Sequence, residues 1–304
     1  MHFYATLRSR LVLLVLAAVL PLFVLSIVKA VRNTDDAVSR AALALQTDAA
    51  MLAASQQQVV ETARQVLTAV ANAPDVRDGN LARCSAYLAE LNRTFTIYAN
   101  LGIIGIDGYA RCHGLDAKTP TYLGDRSYFR DAVARRSFVS GEYLFGRLTQ
   151  KNVFSFALPT MDAEGRVNQV AYVVLDLAAM SASIADTRLP PTGRLAIVDR
   201  NGTVLAVKPE MPGVIGQPLR GPVAQAALKT MSTGVEEGLD AAGRSRIFAF
   251  QPSGPGADAP FFLVLSIDRG GVVATAQRQL NHELLILRWW PVSVAGSPGP
   301  WAGR

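Results

Sequence analysis

The stretch DRSYFRDA, residues 125–132, holds side chains that could bind a small anion. Arg126 and Tyr128 lie just before an apolar helical pattern. A guanidinium group can hold a carboxylate through two parallel hydrogen bonds, and a tyrosine adds a hydroxyl donor and an apolar wall. A salt bridge from Arg126 to Asp125 or Asp131 is the plainer alternative. The residue types therefore indicate either an anion site or an ion-paired surface.

Residues that could catalyse a reaction or hold a metal are sparse. The histidines are His2, His113 and His282, and only His113 lies in the body of the chain. Cys112 precedes it directly, but adjacent strand residues point to opposite faces and do not readily share one ion or one proton. The phosphate-loop, Gly-x-Ser-x-Gly and His-Glu-x-x-His patterns are missing from the sequence. We therefore expect no enzyme activity, no metal and no cofactor.

The composition favours a membrane anchor over a nucleic-acid-binding surface. The 304-residue chain is 50% hydrophobic, and its net charge of +6 comes mostly from scattered single arginines. Residues 11–31 carry no charge until Lys29, and about 20 apolar residues suffice to cross a bilayer as a helix. A signal peptide is the alternative, although its apolar region is usually about 7–15 residues long. We expect an uncleaved anchor, with residues 1–10 in the cytoplasm.

A long helix is predicted from residue 32 to residue 72. Apolar residues recur every seven positions, with a second set four positions later and Gln56 as the exception. This spacing places one apolar stripe on an otherwise polar helix. The stripe packs on its own domain, or it also joins two copies of the chain in a parallel dimer. Its members are Val38, Ala42, Leu45, Ala49, Leu52, Val59, Ala63, Val66 and Val70.

Two similar modules are predicted after this helix, at residues 73–186 and 187–275. The first contains a hairpin that turns at Asp107-Gly108, and the second repeats it around Asn201-Gly202. Pro190-Pro191 marks the joint between them. Each module is expected to be a mainly antiparallel sheet with helices on its flanks, so the fold class is α+β.

The order of these parts resembles the double Cache sensor domains, PAS-like and periplasmic, of bacterial transmembrane receptors. The resemblance covers about residues 30–275 and is carried by YANLGIIGIDGYARC, by the stretch 125–167 and by YVVLDL. Members of this family usually precede histidine kinase, diguanylate cyclase or chemoreceptor modules. The resemblance therefore implies a small-molecule sensor that passes its signal across a membrane.

The resemblance also implies where the ligand binds, namely in the membrane-distal module, residues 73–186. Its Arg-x-aromatic-aromatic element matches Arg126, Tyr128 and Phe129. Amino-acid-binding members keep a tryptophan and a tyrosine at the two aromatic positions, so a small carboxylate or dicarboxylate is favoured over an amino acid. The expected ligand-binding residues are Arg126, Tyr128, Phe129, Lys151, Arg147, Tyr122 and Asp176.

Three of these residues have plainer alternatives. Lys151 and Arg147 lie near the strand that begins at Val153, where they either close on a second anionic group or stay solvated. Asp176 matches the acid that receives a ligand's ammonium in amino-acid-binding members, but an aspartate at this place also serves as a strand-end cap.

The two cysteines, Cys84 and Cys112, bear on the compartment. An even count in an exported domain predicts a disulfide, and two unpaired core thiols are the alternative. Basic residues flank the anchor on both sides and do not decide its orientation. A disulfide would place most of the chain outside the cytoplasm. With the resemblance, this predicts a protein of the bacterial inner membrane whose sensor faces the periplasm.

Residues 276–304 depart from the expected pattern of a returning membrane helix. The apolar run from Leu284 is too short, and Pro291, Pro298 and Pro300 would interrupt a helix. The chain is then either a stand-alone sensor with one anchor or a receptor truncated before its output module, and we favour truncation.

The sequence thus predicts a membrane-anchored sensor with few partners. These are a small organic acid or amino acid, the lipid bilayer and a second copy bound through the long helix, with no nucleic acid. A membrane-anchored scaffold that binds another protein through its exported modules is the alternative function.

Overall fold

The computed structural model describes residues 7–115, 120–254 and 259–278. The chain divides into two compact units. One runs from Leu45 to Ile267 and contains both sheets, apart from the last residue of the final strand. The other combines the residues up to Ala44 with those from Asp268 onward. Most of the predicted C-terminal segment, from residue 279 on, lies outside the described residues.

The first element is the helix α1, Leu7–Asn72, which is 66 residues long. It ends where the sequence predicts, two residues before Pro74. In the described part of the chain, no helix combines the length and the apolar character needed to cross a bilayer. Most side chains of the predicted anchor, residues 11–31, lie outside that part.

The buried stripe of α1 differs from the predicted heptad. Leu52 and Val59 are only half-buried, whereas their neighbours Ala53 and Val60 are each 3% exposed. An α-helix has 3.6 residues per turn, so a strict seven-residue repeat drifts by about 20° per heptad unless the helix supercoils. The stripe therefore steps forward by one residue along the helix. From Leu45 onward it consists mainly of Leu45, Ala49, Ala53, Gln56, Val60, Ala63, Leu67 and Val70.

The first sheet has five strands in the order β2-β1-β5-β4-β3, and every neighbouring pair is antiparallel. One strand, β3, was not predicted from the sequence. The elements are α2 (Pro74–Arg77), α3 (Leu81–Thr94), β1 (Tyr98–Gly105), β2 (Ala110–His113), α4 (Ser127–Arg135), β3 (Val139–Phe145), β4 (Asn152–Met161) and β5 (Val167–Asp176).

The second sheet repeats this topology in the order β7-β6-β10-β9-β8. Strand β6 pairs antiparallel with both β7 and β10. Strands β8 and β9 also form an antiparallel pair. The α+β class, with a long N-terminal helix and two antiparallel sheets in tandem, is therefore confirmed. The elements are α5 (Leu177–Ala185), β6 (Arg194–Val198), β7 (Val204–Lys208), α6 (Pro222–Thr230), β8 (Gly234–Leu239), β9 (Ser245–Pro252) and β10 (Phe262–Asp268).

The two sheets touch each other through aromatic and polar side chains. Phe261 packs against Phe154 and Phe156 of β4, with ring centroids 4.9 Å and 6.2 Å apart. Arg200, in the turn after β6, donates a hydrogen bond of 3.1 Å to the carbonyl of Ser140 on β3. The edge strand of the first sheet is thus held against the first hairpin of the second.

A disulfide joins Cys84 of α3 to Cys112 of β2, with the two Cα atoms 5.9 Å apart. Both residues are buried, and they are 28 positions apart in sequence. The bond ties a helix to the edge strand of the first sheet. The structure therefore contains the predicted disulfide and not the alternative of two unpaired thiols.

Candidate functional site

A small cavity lies in the first sheet module, where α4 and the loop after β3 meet β1 and β5. Its volume is about 20 Å³, room for about one water molecule, so a ligand of several heavy atoms must displace lining side chains. Three of the predicted ligand-binding residues line it, namely Arg126, Tyr128 and Arg147. The polar lining also includes Asn100, Thr149 and Tyr172.

Arg126 is the cation of this cavity that can still bind an anion. It occupies the N-cap of α4 with an extended backbone, φ −74° and ψ 139°, which turns the chain into the helix. Its Nη2 donates a long hydrogen bond of 3.4 Å to the carbonyl of Phe145. In the part of the chain that the structure describes, Arg126 makes no ion pair. Asp125, one of its two expected partners, binds Arg147 instead.

Arg147 is already paired. Its two terminal nitrogens each lie 2.7 Å from a carboxylate oxygen of Asp125, and Nη1 also donates to the carbonyl of Tyr122 at 2.8 Å. The hydrogen bonds from Arg147 lower the pKa of Asp125 below its usual value. Both side chains are more than 40% exposed, so solvent screening limits the pair to less than about 1 kcal/mol. The pair's main effect is to tie the loop after β3 to the segment before α4.

The floor of the cavity is a buried polar group within an apolar sheet. Asn100 is fully buried, donates to the hydroxyl of Tyr172 at 3.1 Å and accepts from the amide of Gly114 at 3.1 Å. The rings of Tyr128 and Tyr172 lie 6.0 Å apart, and burial raises the pKa of both hydroxyls. Both therefore stay protonated at neutral pH and can donate hydrogen bonds.

Two glycines and a hydroxyl show how tightly this site is packed. A Cβ added at Gly102 would lie 2.5 Å from the ring of Tyr172, so the ring rests directly on β1. A Cβ at Gly146 would overlap the hydroxyl of Thr149. That hydroxyl oxygen is buried and has no hydrogen-bond partner among the described residues. An unsatisfied buried polar atom is costly, and a bound acceptor would satisfy it.

The structure places the other predicted ligand-binding residues elsewhere. Lys151 Nζ lies 2.6 Å from Asp176 Oδ2, while Asp176 Oδ1 accepts from the amide of Ala178 and caps α5. Asp176 is the last residue of β5, and it therefore has the strand-end capping role that was the alternative to ligand binding. Phe129 is buried in the apolar core. Tyr122 is exposed, with its ring 5.2 Å from that of Tyr109.

Three cavity residues were not predicted from the sequence: Asn100, Thr149 and Tyr172. Asn100 interrupts the apolar run of β1, and Tyr172 stands within the apolar run of β5. A polar group inside a fully buried strand is a usable signal, because it needs a partner there. Within the described residues, no three histidine, cysteine, aspartate or glutamate side chains cluster as a metal site.

Comparison with known proteins identifies the family. A family model of type dCache_1, described as a Cache domain, matches residues 33–276. The chain belongs to the double Cache family. The two sheets of identical strand order are the two modules of this double Cache domain. A sequence search of curated proteins found no match.

Solved structures share the fold of this double Cache domain. The extracellular domain of rpHK1S-Z16, a histidine kinase candidate, has a TM-score of 0.68 at 16% identity, covering 78% of this chain and 98% of that one. The ligand-binding domain of Pseudomonas fluorescens chemoreceptor CtaA, in complex with L-isoleucine, gives 0.62 at 16%, covering 79% and 98%. That of the Pseudomonas aeruginosa amino acid chemoreceptor PctC, in complex with GABA, gives 0.57 at 19%, covering 75% and 100%.

Proposed function

We propose that this double Cache domain is a non-catalytic sensor that binds a small carboxylate in the cavity beside Arg126. The observation that carries the proposal is a guanidinium without an ion-pair partner in the described chain, next to a buried hydroxyl, that of Thr149, without a hydrogen-bond partner. A carboxylate satisfies both, because it accepts two hydrogen bonds from arginine and further bonds from hydroxyl groups. The amino acid ligands of the CtaA and PctC structures are carboxylates too.

Within this class, the contacts of Asp176 favour a ligand without an ammonium group. Asp176 would be the partner for an ammonium group, but its two oxygens are taken by Lys151 and by the N-terminus of α5. It is also absent from the lining of the cavity. A simple carboxylate or dicarboxylate is therefore our first choice, and an amino acid is the second.

We propose further that the sensor works in the periplasm, anchored in the inner membrane by residues 11–31. The apolar sequence of this segment supports the anchor. The disulfide between Cys84 and Cys112 supports an oxidising compartment, where such bonds persist. A parallel homodimer through the long helix would bring two sensors side by side. Ligand binding would then shift the population of two conformations of the domain.

The test is a calorimetric titration of the full-length chain in lipid nanodiscs with small carboxylates, dicarboxylates and amino acids. We expect one compound class to bind with micromolar to millimolar affinity. Replacing Arg126 with alanine should weaken it about tenfold or more, since a hydrogen bond to a charged group contributes about 1.5–3 kcal/mol. Arg130→Ala is the matched control, because Arg130 is an exposed arginine on the same helix. Equal affinity in both variants would contradict the proposal.

One observation favours the alternative, a scaffold that binds another protein. Ile106, Tyr109 and Tyr122 are large apolar side chains near the β1–β2 turn, and each is at least 45% exposed. Exposed apolar side chains that adjoin one another mark protein interfaces. This function would be supported if no small molecule binds in the titration and if a protein partner binds the parent chain but not Tyr109→Asp.

A further inference from the structure

The second module contains a cavity far larger than the one beside Arg126. Its volume is about 590 Å³, within the range of about 300–1,000 Å³ that small-molecule sites occupy. It lies between the second sheet, helix α6 and the loop of residues 209–220. The lining residues of the two cavities do not overlap, so the larger one is a separate place on the chain.

The floor of this cavity is apolar. Val204 and Val207 of β7, Phe248 of β9 and Val264 of β10 belong to the core of the second module and line the cavity. Val214 of the loop packs against the same core. These side chains offer an apolar surface to a ligand without placing polar groups beneath it. The body of a bound molecule should therefore be hydrocarbon.

The charged lining is unbalanced. Four of the lining side chains are cationic and one is anionic, which leaves an excess of three positive charges. The acid, Asp240, already accepts from Arg244 at 2.9 Å and from the amides of Ala242 and Arg244 at 2.8 Å and 3.0 Å. Its Oδ2 also lies 3.7 Å from Nη1 of Arg194, so its charge is shared between Arg244 and Arg194. The cations are Arg194, Lys208, Arg220 and Arg246.

One of these cations is fixed in place. Arg246 is 3% exposed, and its guanidinium donates to Ser266 Oγ at 3.0 Å, to the Ser266 carbonyl at 2.9 Å and to the Thr192 carbonyl at 2.8 Å. These three hydrogen bonds hold the planar group rigidly in the wall. A cation that is preorganised in this way loses little conformational entropy when it binds an anion.

We propose that this cavity is a second ligand site, for an organic anion with an apolar body, such as an alkyl or aryl carboxylate. The apolar floor takes the hydrocarbon part and the arginines of the wall take the anionic group. This site goes beyond the proposed carboxylate site beside Arg126 and does not depend on it.

The test is equilibrium dialysis of the full-length chain in lipid nanodiscs against radiolabelled hexanoate, with empty nanodiscs as the blank. Uncharged 1-hexanol serves as the comparison ligand of equal chain length. We expect one saturable site for hexanoate and much weaker binding of 1-hexanol. Ala196→Phe, which fills the floor, should abolish the saturable site. Arg194→Gln should weaken it at least about fivefold, the effect of about 1 kcal/mol.

Matched variants separate the two sites. Arg166→Gln makes the same change as Arg194→Gln at an exposed turn of the first module and should leave hexanoate affinity unchanged. Arg126→Ala should also leave it unchanged, even if it removes the ligand of the first module. Val214→Trp narrows the cavity from the loop, which guards against a folding defect in Ala196→Phe, and each variant is checked by circular dichroism.

Three results would overturn the second site. The first is the absence of saturable hexanoate binding. The second is binding of 1-hexanol as tight as that of hexanoate, which removes the role of the cations. The third is binding that disappears with Arg126→Ala but survives in folded Ala196→Phe and Val214→Trp, which assigns hexanoate to the first module.

Discussion

The backbone amide of Tyr143 donates a hydrogen bond of 3.1 Å to Oδ2 of Asp199, across the contact between the two modules. Asp199 is 1% exposed, and its Oδ1 accepts from the amides of Asn201 and Thr203 at 2.9 Å and 2.8 Å. One buried carboxylate thus shapes the first turn of the second module and holds β3 of the first. Because the carbonyl of Phe145 at the end of β3 accepts from Arg126, this strand connects the small cavity to the second module.

Asp199→Asn should therefore destabilise the protein. The amide side chain has one acceptor oxygen in place of two, so at least one buried N–H group loses its partner. We expect the free energy of unfolding to fall by about 1–3 kcal/mol, measured by urea denaturation. Asp162→Asn is the control, because Asp162 accepts hydrogen bonds from Arg166 of its own hairpin. Equal losses in the two variants would contradict a special role for the contact between modules.

A pair of glycines tests the same contact by steric means. Gly216 and Gly213 both have a positive φ, +82° and +74°, so alanine at either position costs about 1–2 kcal/mol from backbone strain. A Cβ at Gly216 would also lie 2.4 Å from the ring of Tyr143, whereas at Gly213 it meets no atom of the described residues within 4 Å. We expect Gly216→Ala to lose about 1–3 kcal/mol more than Gly213→Ala in urea denaturation. A difference near zero would mean that the ring moves aside freely.

Reduction of the disulfide should lower stability markedly. The bond between Cys84 and Cys112 closes a loop with a sequence separation of 28, for which the chain-entropy relation gives about 3–4 kcal/mol. We expect the urea midpoint to shift down on addition of dithiothreitol. The double variant Cys84→Ala, Cys112→Ala should start at the low midpoint and not respond to the reductant. A parent protein indifferent to dithiothreitol would argue against the bond in solution.

Stability should also depend on the protonation of His113. Burial lowers the pKa of this imidazole, and its Nδ1 accepts from the amide of Leu115 at 3.3 Å. The unfolded chain then binds the proton more readily than the folded one. The free energy of unfolding is therefore highest above about pH 6.5, the pKa of His113 in the unfolded chain. It falls as the pH is lowered from there towards the pKa of His113 in the folded protein. Urea midpoints between about pH 8 and pH 5.5 should show this slope, and His113→Gln should flatten it.

The hairpins were predictable because their signals are local. Asp107-Gly108 and Asn201-Gly202 stand between apolar runs, and Gly108 and Gly202 both adopt the positive φ that such turns need. Strand β3 was not predictable in the same way. Its sequence, VSGEYLF, is short and lacks a clear alternation, and it becomes a strand by pairing with β4 at the sheet edge.

The site was only partly predictable, because its residues come together from distant parts of the chain. Arg126 and Tyr128 share one short stretch, which a local pattern can identify. Asn100 and Tyr172 are 72 positions apart and meet only because β1 and β5 are neighbours in the sheet. The pairing of Lys151 with Asp176 likewise depends on β4 lying beside β5.

The repeated strand order of the two sheets also bears on how double Cache domains can be recombined. Each sheet is made entirely from its own stretch of sequence, and residues 177–193, which contain α5, connect them. Recombination between two genes within that segment would exchange a complete sheet together with its cavity. New specificities could then arise by recombination of whole modules. The incoming piece must keep the contacts between the two sheets, above all the buried acceptor where Asp199 meets Tyr143 and the packing of Phe261 on Phe154.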